Sequence, residues 1–325
     1  MKKLMKYSLF VVAAIVILVA AAVAYVSFAL PNVGEAPEME VSITPQKVER
    51  GKYLAYNVMM CADCHSVRDF SIFSGPPTPG TEFAGGDVFD HNMGFPGRFT
   101  SSNITPYGIG DWTDGELFRL ITTGVKRDGN PIFPVMPYHK YGQMDSEDIE
   151  AVIAYLRTID PVENDHPESK PDFPVNFIMR TMPKKAGLNS KPPTSDTVAY
   201  GKYMATAAAC FDCHTNFRKG KFVGPEGGGG REFHFPDGSI VRAPNITPHE
   251  TGINQFTKES FVQRFKMYTD SGFVLPKVNP GEFQTIMPWY MYSGMTEEDL
   301  SAIYAYLQTL EPHDNMVVRF TPAQN

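Results

Sequence analysis

The residues best suited to chemistry are four cysteines, and each pair lies in the same pentapeptide: Cys61-Ala62-Asp63-Cys64-His65 and Cys210-Phe211-Asp212-Cys213-His214. C-x-x-C-H is the pattern of covalent haem attachment. Two thiols at this spacing can each add to one vinyl group, and the adjacent histidine is then held against the iron as proximal ligand. A single C-x-x-C also suits a thioredoxin-like redox pair or half of a zinc site. Neither requires a histidine directly after the second cysteine, still less twice. The motifs use every cysteine in the chain. The expectation is two covalently bound haem c groups, attached at Cys61, Cys64, Cys210 and Cys213, with His65 and His214 as proximal ligands.

What fills the far side of such an iron separates electron transfer from substrate chemistry. With no cysteine left over, the choices are methionine, histidine or nothing. Among 16 methionines, two pairs recur at a spacing of 151: Met136 with Met287, and Met144 with Met295. Met144 and Met295 each immediately precede a helix cap, where they can pack on Ile149 and Leu300 as a hydrophobic staple. Met136 and Met287 sit in proline-bounded loops, Pro134-Val135-Met136-Pro137-Tyr138 and Ile286-Met287-Pro288-Trp289, 71 and 73 residues after their histidines. A thioether favours reduced iron and raises its potential. Met136 and Met287 are therefore the expected distal ligands. His91 and His139 in the first unit and His234 in the second are rivals, but each lacks a counterpart in the other unit.

The elements that must position these groups come in two copies. Gly51-Lys52-Tyr53 recurs as Gly201-Lys202-Tyr203, Asn103-Ile104-Thr105-Pro106 as Asn245-Ile246-Thr247-Pro248, and Ala154-Tyr155-Leu156 as Ala305-Tyr306-Leu307. Two units are too few for a solenoid, so tandem domains are expected, each with its own haem. Thr44-Pro45 predicts the start of an opening helix that runs through Val48 to Met60. Asp145 and Thr296 cap closing helices whose apolar residues follow at i, i+3, i+4 and i+7. Gly51 and Gly201 weaken their own helices and so predict close helix crossings, with Tyr155 and Tyr306 packed over the gaps. Strand patterning is sparse. Trp112, Tyr138 and Trp289 are expected to line the pockets; for Arg98 and Arg242 two readings stand equal, pairing with propionates and a place on the surface. The two Asn-Ile-Thr stretches match glycosylation sequons, but their matched positions predict structural turns. Gly227 to Gly230 reads as a flexible loop.

At the N-terminus, Lys2, Lys3 and Lys6 precede Tyr7 to Leu30, 24 residues without a charge. A secretory h-region needs about 7–15 residues and a spanning helix about 20, which favours an anchor over a signal peptide cut after Ala29. The lysines would stay in the cytoplasm and the remainder would be exported. Net charge is −7. Such a surface repels nucleic acid and anionic lipid and suits partners with basic patches. The resulting division is residues 1–30 as anchor or signal peptide, 31–43 as tether, 44–160 and 195–320 as haem units, and 161–194 as a proline-rich linker.

These motifs, together with Asn103-Ile104-Thr105-Pro106 leading to Gly108-Ile109-Gly110-Asp111-Trp112-Thr113, Met136-Pro137-Tyr138 and Ala154-Tyr155-Leu156, resemble class I cytochromes c. More narrowly, the chain is similar to the multi-haem cytochrome c subunits of membrane-bound alcohol, gluconate and aldehyde dehydrogenases, over about residues 45–320. The resemblance implies a mainly α fold, two tandem class I cytochrome c domains after an N-terminal transmembrane helix. It also implies an electron-transfer subunit without catalytic chemistry of its own, a dehydrogenase upstream and an oxidase or quinone-linked complex downstream. The expected location is the inner membrane, single-pass, with the haem units in the periplasm. The alternatives are the dihaem subunit of a terminal oxidase, or a haem enzyme such as a peroxidase with one open iron.

Overall fold

The computed structural model describes residues 2–269 and 273–323. Lys2–Ala29 is one continuous helix whose apolar window has a mean hydropathy of 3.0 and is wholly uncovered by the rest of the chain. At about 1.5 Å per residue it is long enough to cross a bilayer core. Just beyond its end, Arg180 Nη1 donates to the Leu30 carbonyl at 3.0 Å.

Both halves then repeat one order of elements. The first opening helix, Pro45–Tyr53, starts as expected: Thr44 caps it by accepting the Lys47 N–H at 3.2 Å, with Pro45 in the first turn. It then widens into a π-helical turn, Leu54–Val58. The second opening helix, Thr197–Ala207, is capped by Asp196. Each helix is followed by a residue in the left-handed region, Met60 (φ 55°) and Ala209 (φ 49°), directly before the first cysteine. That single reversal ends the helix and restarts the chain as the cysteine-bearing turn, Cys61–Cys64 or Cys210–His214. A middle helix follows in each half, Asp114–Thr123 with a Thr113–Glu116 capping box, and Lys258–Lys266 capped by Thr257.

The closing helices are Ser146–Leu156 and Glu297–Leu307, capped by Asp145 and Thr296. Their apolar stripes bury Ile149, Val152, Ile153 and Leu156 in one, and Leu300, Ile303 and Leu307 in the other. Each crosses its opening helix at glycine. A Cβ on Gly51 would lie 1.8 Å from the Ala151 carbonyl oxygen, and one on Gly201 would lie 1.9 Å from that of Ala302. Tyr155 does pack beside Gly51, its Cβ 2.8 Å from that position. Tyr306 instead stands edge-on to Phe211, ring centroids 6.0 Å apart, because Ala302 and Ile303 already fill the space over Gly201.

The structure has more β ribbon than the sequence suggested. Val88–Phe89, Gly97–Thr100 and Lys170–Pro171 form one antiparallel sheet, and Glu232–His234, Ile240–Arg242 and Phe320–Thr321 form another. The proline-rich stretch runs over the first half, with Val162 and Asn164 bonded to Asn103, Thr105 and Ala84.

One apolar cluster runs through both halves, from Leu54, Val58 and Met144 to Met204, Met295 and Leu300. The helices are cross-fastened above it. Tyr203 Oη donates to Asp148 at 2.7 Å, and Tyr53 Oη donates to Asp299, so each closing helix holds a tyrosine from the opposite half. Asp148 also accepts from Arg50 at 2.9 and 2.7 Å, and Asp299 from Tyr200 at 2.8 Å. Burying a carboxylate costs free energy unless it is paired and hydrogen-bonded. Here both are.

Candidate haem sites

Cys61–Cys64 is a single helical turn, so its two sulfur-bearing side chains lie on one side. Cys61 and His65 line a cavity of about 400 Å³. The same cavity is lined by Met136, 71 residues further on, and by Trp112, Ile109, Leu117, Ile121, Tyr141, Val152 and Leu156. Its walls thus come from the cysteine turn, the middle helix, the closing helix and the proline-bounded loop. Tyr107, Lys126, Asn164, Asp165 and His166 contribute polar atoms to the lining.

The His65 ring is oriented by a bond from Nδ1 to the Ser102 carbonyl at 2.7 Å. With Nδ1 carrying the proton, Nε2 is left with its lone pair free, the state a metal needs. Burial pushes the His65 imidazolium down in pKa, which further favours the neutral ring. The second half repeats this arrangement: His214 Nδ1 meets the Pro244 carbonyl at 2.8 Å, and burial again lowers its pKa. Both carbonyls belong to the residue just before an Asn-Ile-Thr-Pro turn. In each turn the asparagine Oδ1 accepts from the threonine N–H and Oγ1, at 3.0 and 2.7 Å in the first and 2.9 and 2.8 Å in the second. Asn103 and Asn245 are buried, so these sequences are structural turns rather than sugar acceptors.

The glycines behind each histidine are ordered too. Gly85 N–H donates to the His65 carbonyl and Gly229 N–H to the His214 carbonyl, both at 2.8 Å. Gly229 (φ +75°) could not carry a Cβ, which would meet Asn245 N at 2.5 Å. The stretch read as a flexible loop is therefore a built turn that fixes the second histidine.

None of the four cysteines is in a disulfide, and burial pushes the thiols of Cys61, Cys64 and Cys210 up to about 12 and that of Cys213 to about 11. Neutral sulfur in an apolar wall suits a thioether, and it does not suit a thiolate ligand to a bare ion. Cavity size, apolar lining, a histidine presenting Nε2 and a methionine on the same cavity together fit a covalently attached haem.

The Met136 and Met287 loops are tied back alike. Tyr141 Oη donates to the Met59 carbonyl and Tyr292 Oη to the Ala208 carbonyl, both at 2.6 Å, just ahead of the cysteine turns. Met144 and Met295 are fully buried in the apolar cluster, as a packing role requires. The rival histidines have other partners: His91 Nε2 pairs with Asp172 at 2.6 Å, and His139 Nε2 with Asp212 at 2.9 Å, while His234 lies in an exposed strand position. Arg98 and Arg242 follow the surface reading. Arg98 is exposed on its strand opposite Lys170, and Arg242 donates to Glu232 and Thr321, because strand alternation turns both outward. Trp112 lines the first cavity; Tyr138 packs over Gly124, and Trp289 stacks on Tyr268. No motif or periodicity points to Asn164 and His166, which reach the cavity from the linker.

The first half reaches the second cysteine turn directly. Lys140 and His139 of the first half pair with Asp212, inside the second motif. Tyr292 is pushed well above its ordinary pKa by burial and by Cys210, Cys213, Tyr141 and Asp63, groups drawn from both halves.

A C-x-x-C-H turn whose histidine shares one cavity with a methionine is an arrangement suited to covalently held haem. Residues 198–311 match the cytochrome c family model, so the second half carries a cytochrome c domain, of a family that holds haem c covalently. The chain is similar to the cytochrome c subunit of alcohol dehydrogenase (quinone) from Gluconacetobacter polyoxogenes, 28% identical over 82% of this chain and 56% of the relative. It is similar to the fructose dehydrogenase cytochrome subunit of Gluconobacter japonicus, 28% identical over 81% of this chain and 52% of the relative. It is also similar to the gluconate 2-dehydrogenase cytochrome c subunit of Pantoea cypripedii, 29% identical over 52% of this chain and 38% of the relative. The chain thus spans little more than half the length of the first two relatives.

Proposed function

We propose that this chain is a membrane-anchored dihaem electron carrier. In this reading residues 44–160 and 195–320 are tandem cytochrome c units, each with one covalently bound haem c. Cys61 and Cys64, and Cys210 and Cys213, form the thioethers; His65 and His214 are proximal ligands, and Met136 and Met287 distal ones. Bound haem supplies reversible one-electron chemistry at its iron. The polypeptide supplies everything else. The Ser102 and Pro244 carbonyls hold the two imidazoles neutral and oriented, and second-partner bonds of this kind raise ligand basicity. Apolar walls exclude water, which limits solvent reorganisation when charge changes. Six-coordinate ligation leaves no open position for substrate, so the chain passes electrons without chemistry of its own. The junction at which His139 and Lys140 pair with Asp212 is where electrons cross between the two units.

Helix Lys2–Ala29 anchors the protein in the inner membrane with the haem units in the periplasm. There they take electrons from a dehydrogenase, as the relatives' names suggest, and deliver them to an oxidase or a quinone-linked acceptor. The observation that carries this reading is the cavity shared by Cys61, His65 and Met136, residues that only folding brings together. The mature protein should exceed its polypeptide mass by two haem groups, and absorption by the sulfur–iron bond should fall in Met136→Ala and in Met287→Ala. A mass increment other than two haems, or absorption unchanged in both variants, would overturn it.

A further inference from the structure

The loop carrying Met287 is fastened by a residue from the other half of the chain. Ser74 is buried, in the left-handed region (φ 72°), and lies nine residues after His65. Its hydroxyl donates to the Met287 carbonyl at 2.6 Å and accepts the Trp289 N–H at 3.1 Å. One side chain thus grips the backbone on both sides of Pro288. Gln284, also buried, sets Ser74 in place: its Oε1 accepts the Ser74 N–H and the Thr285 N–H, each at 2.8 Å. Its Nε2 donates to the Phe70 and Ile72 carbonyls at 2.8 and 2.9 Å. Thr285 Oγ1 accepts the Met287 N–H at 3.0 Å, so the N–H and C=O of Met287 both have side-chain partners. Two backbone bonds, Phe73 N–H to Pro276 and Val278 N–H to Ser71, each 2.8 Å, seal the joint.

Met136 is held differently. Beside it, Phe133 stacks on Phe99 with centroids 4.3 Å apart, and Phe133 and Val135 pack against the cluster of Phe89, Phe99 and Met179. That support is apolar and comes from the same half plus the linker. The second loop is held by directional hydrogen bonds across the junction between halves.

We propose that Ser74 and Gln284 are positioning residues for the sixth ligand of the second haem, so that the first unit sets how firmly Met287 is presented. The inference rests on the reading of Met287 as a distal ligand. A thioether is a weak ligand, and its binding depends on backbone that is already in place when the bond forms. Removing the Ser74 hydroxyl takes the first-unit partner from the half-buried Met287 carbonyl and Trp289 N–H, which keep only their mutual bond at 2.8 Å, so the loop loses its side-chain tie to the first unit at this point. Both halves thereby become one redox unit: damage to the first unit's loop is felt at the second iron.

The test uses the full-length, haem-loaded protein and compares Ser74→Ala and Gln284→Ala with Met287→Ala. In Ser74→Ala, up to half of the sulfur–iron absorption is expected to disappear, the part belonging to one of two centres. The lower occupancy of the thioether should shift the midpoint potential of the second centre downward, with that of the first unmoved. Gln284→Ala, which reaches the loop through Ser74 and Thr285, should show the same change in smaller degree, and it carries the test if Ser74→Ala does not fold. Equal shifts at both centres would mark general loosening and overturn the assignment. Absorption that is lost in Met287→Ala but intact in both other variants would overturn the clamp alone. Absorption unaffected by Met287→Ala would instead overturn the ligand reading beneath it.

Discussion

Gly201→Ala adds one methyl at the tightest helix crossing of the second half. The new Cβ would lie 1.9 Å from the Ala302 carbonyl oxygen and 2.4 Å from its carbon. A carbon–oxygen contact needs about 3.3 Å, so Thr197–Ala207 and Glu297–Leu307 must separate by roughly 1.4 Å. A gap of that order forfeits about half of each atomic contact of ~0.15 kcal/mol across the crossing. With Met204, Leu300 and Ile303 each making roughly 20 such contacts, the loss is on the order of 4 kcal/mol. Alanine's better helix propensity returns about 1 kcal/mol. The net destabilisation is about 3 kcal/mol, which in a chain of this size lowers the melting temperature by roughly 6–12 °C. Melting followed by far-ultraviolet circular dichroism on the haem-loaded protein measures it. Gly187→Ala is the control, since nothing lies within 4 Å of the added atom and no shift beyond about 0.5 kcal/mol is expected. A Gly201→Ala protein that melts with the wild type would refute the crossing geometry.

Burial pushes the Asp148 carboxyl up, but its bonds from Arg50 and Tyr203 and the nearby Lys191 more than offset this and hold it below the ordinary value. A depressed folded value means the stabilisation is complete above the unfolded pKa near 4 and lost as pH falls through the folded one. Acid titration of stability should therefore show a loss below about pH 4 that Asp148→Asn lacks. At neutral pH, Asp148→Ala, which takes the carboxylate from the half-buried Arg50 and the buried Tyr203, should cost on the order of 3 kcal/mol in denaturant melts. A protein lacking residues 1–30 should move from the membrane to the soluble fraction and keep its haem spectrum; retention in the membrane would show that another surface holds it there.

Much of the site was readable residue by residue. The repeated pentapeptide named its own chemistry, because a bond formed between neighbours in sequence needs no fold to bring them together. Helix caps at Thr44, Asp145 and Thr296 and the asparagine turns were legible for the same reason, since each acts within a few residues, while the glycines announced a crossing without naming the residue that crosses. Local context, a proline-bounded loop against a position just before a helix cap, selected Met136 over Met144, and the structure puts the first on the cavity and the second in the core. Tertiary structure alone decided the rest. Ser74 meets Met287, Tyr53 meets Asp299, and Tyr203 meets Asp148 across separations that leave no periodic trace. Arg98 and Arg242 turned outward because a short strand set their side, and the linker supplied cavity residues because its path, not its composition, brought it there. Pairings between distant segments are chosen by shape and by the need to satisfy buried polar groups, and neither quantity exists until the chain has folded.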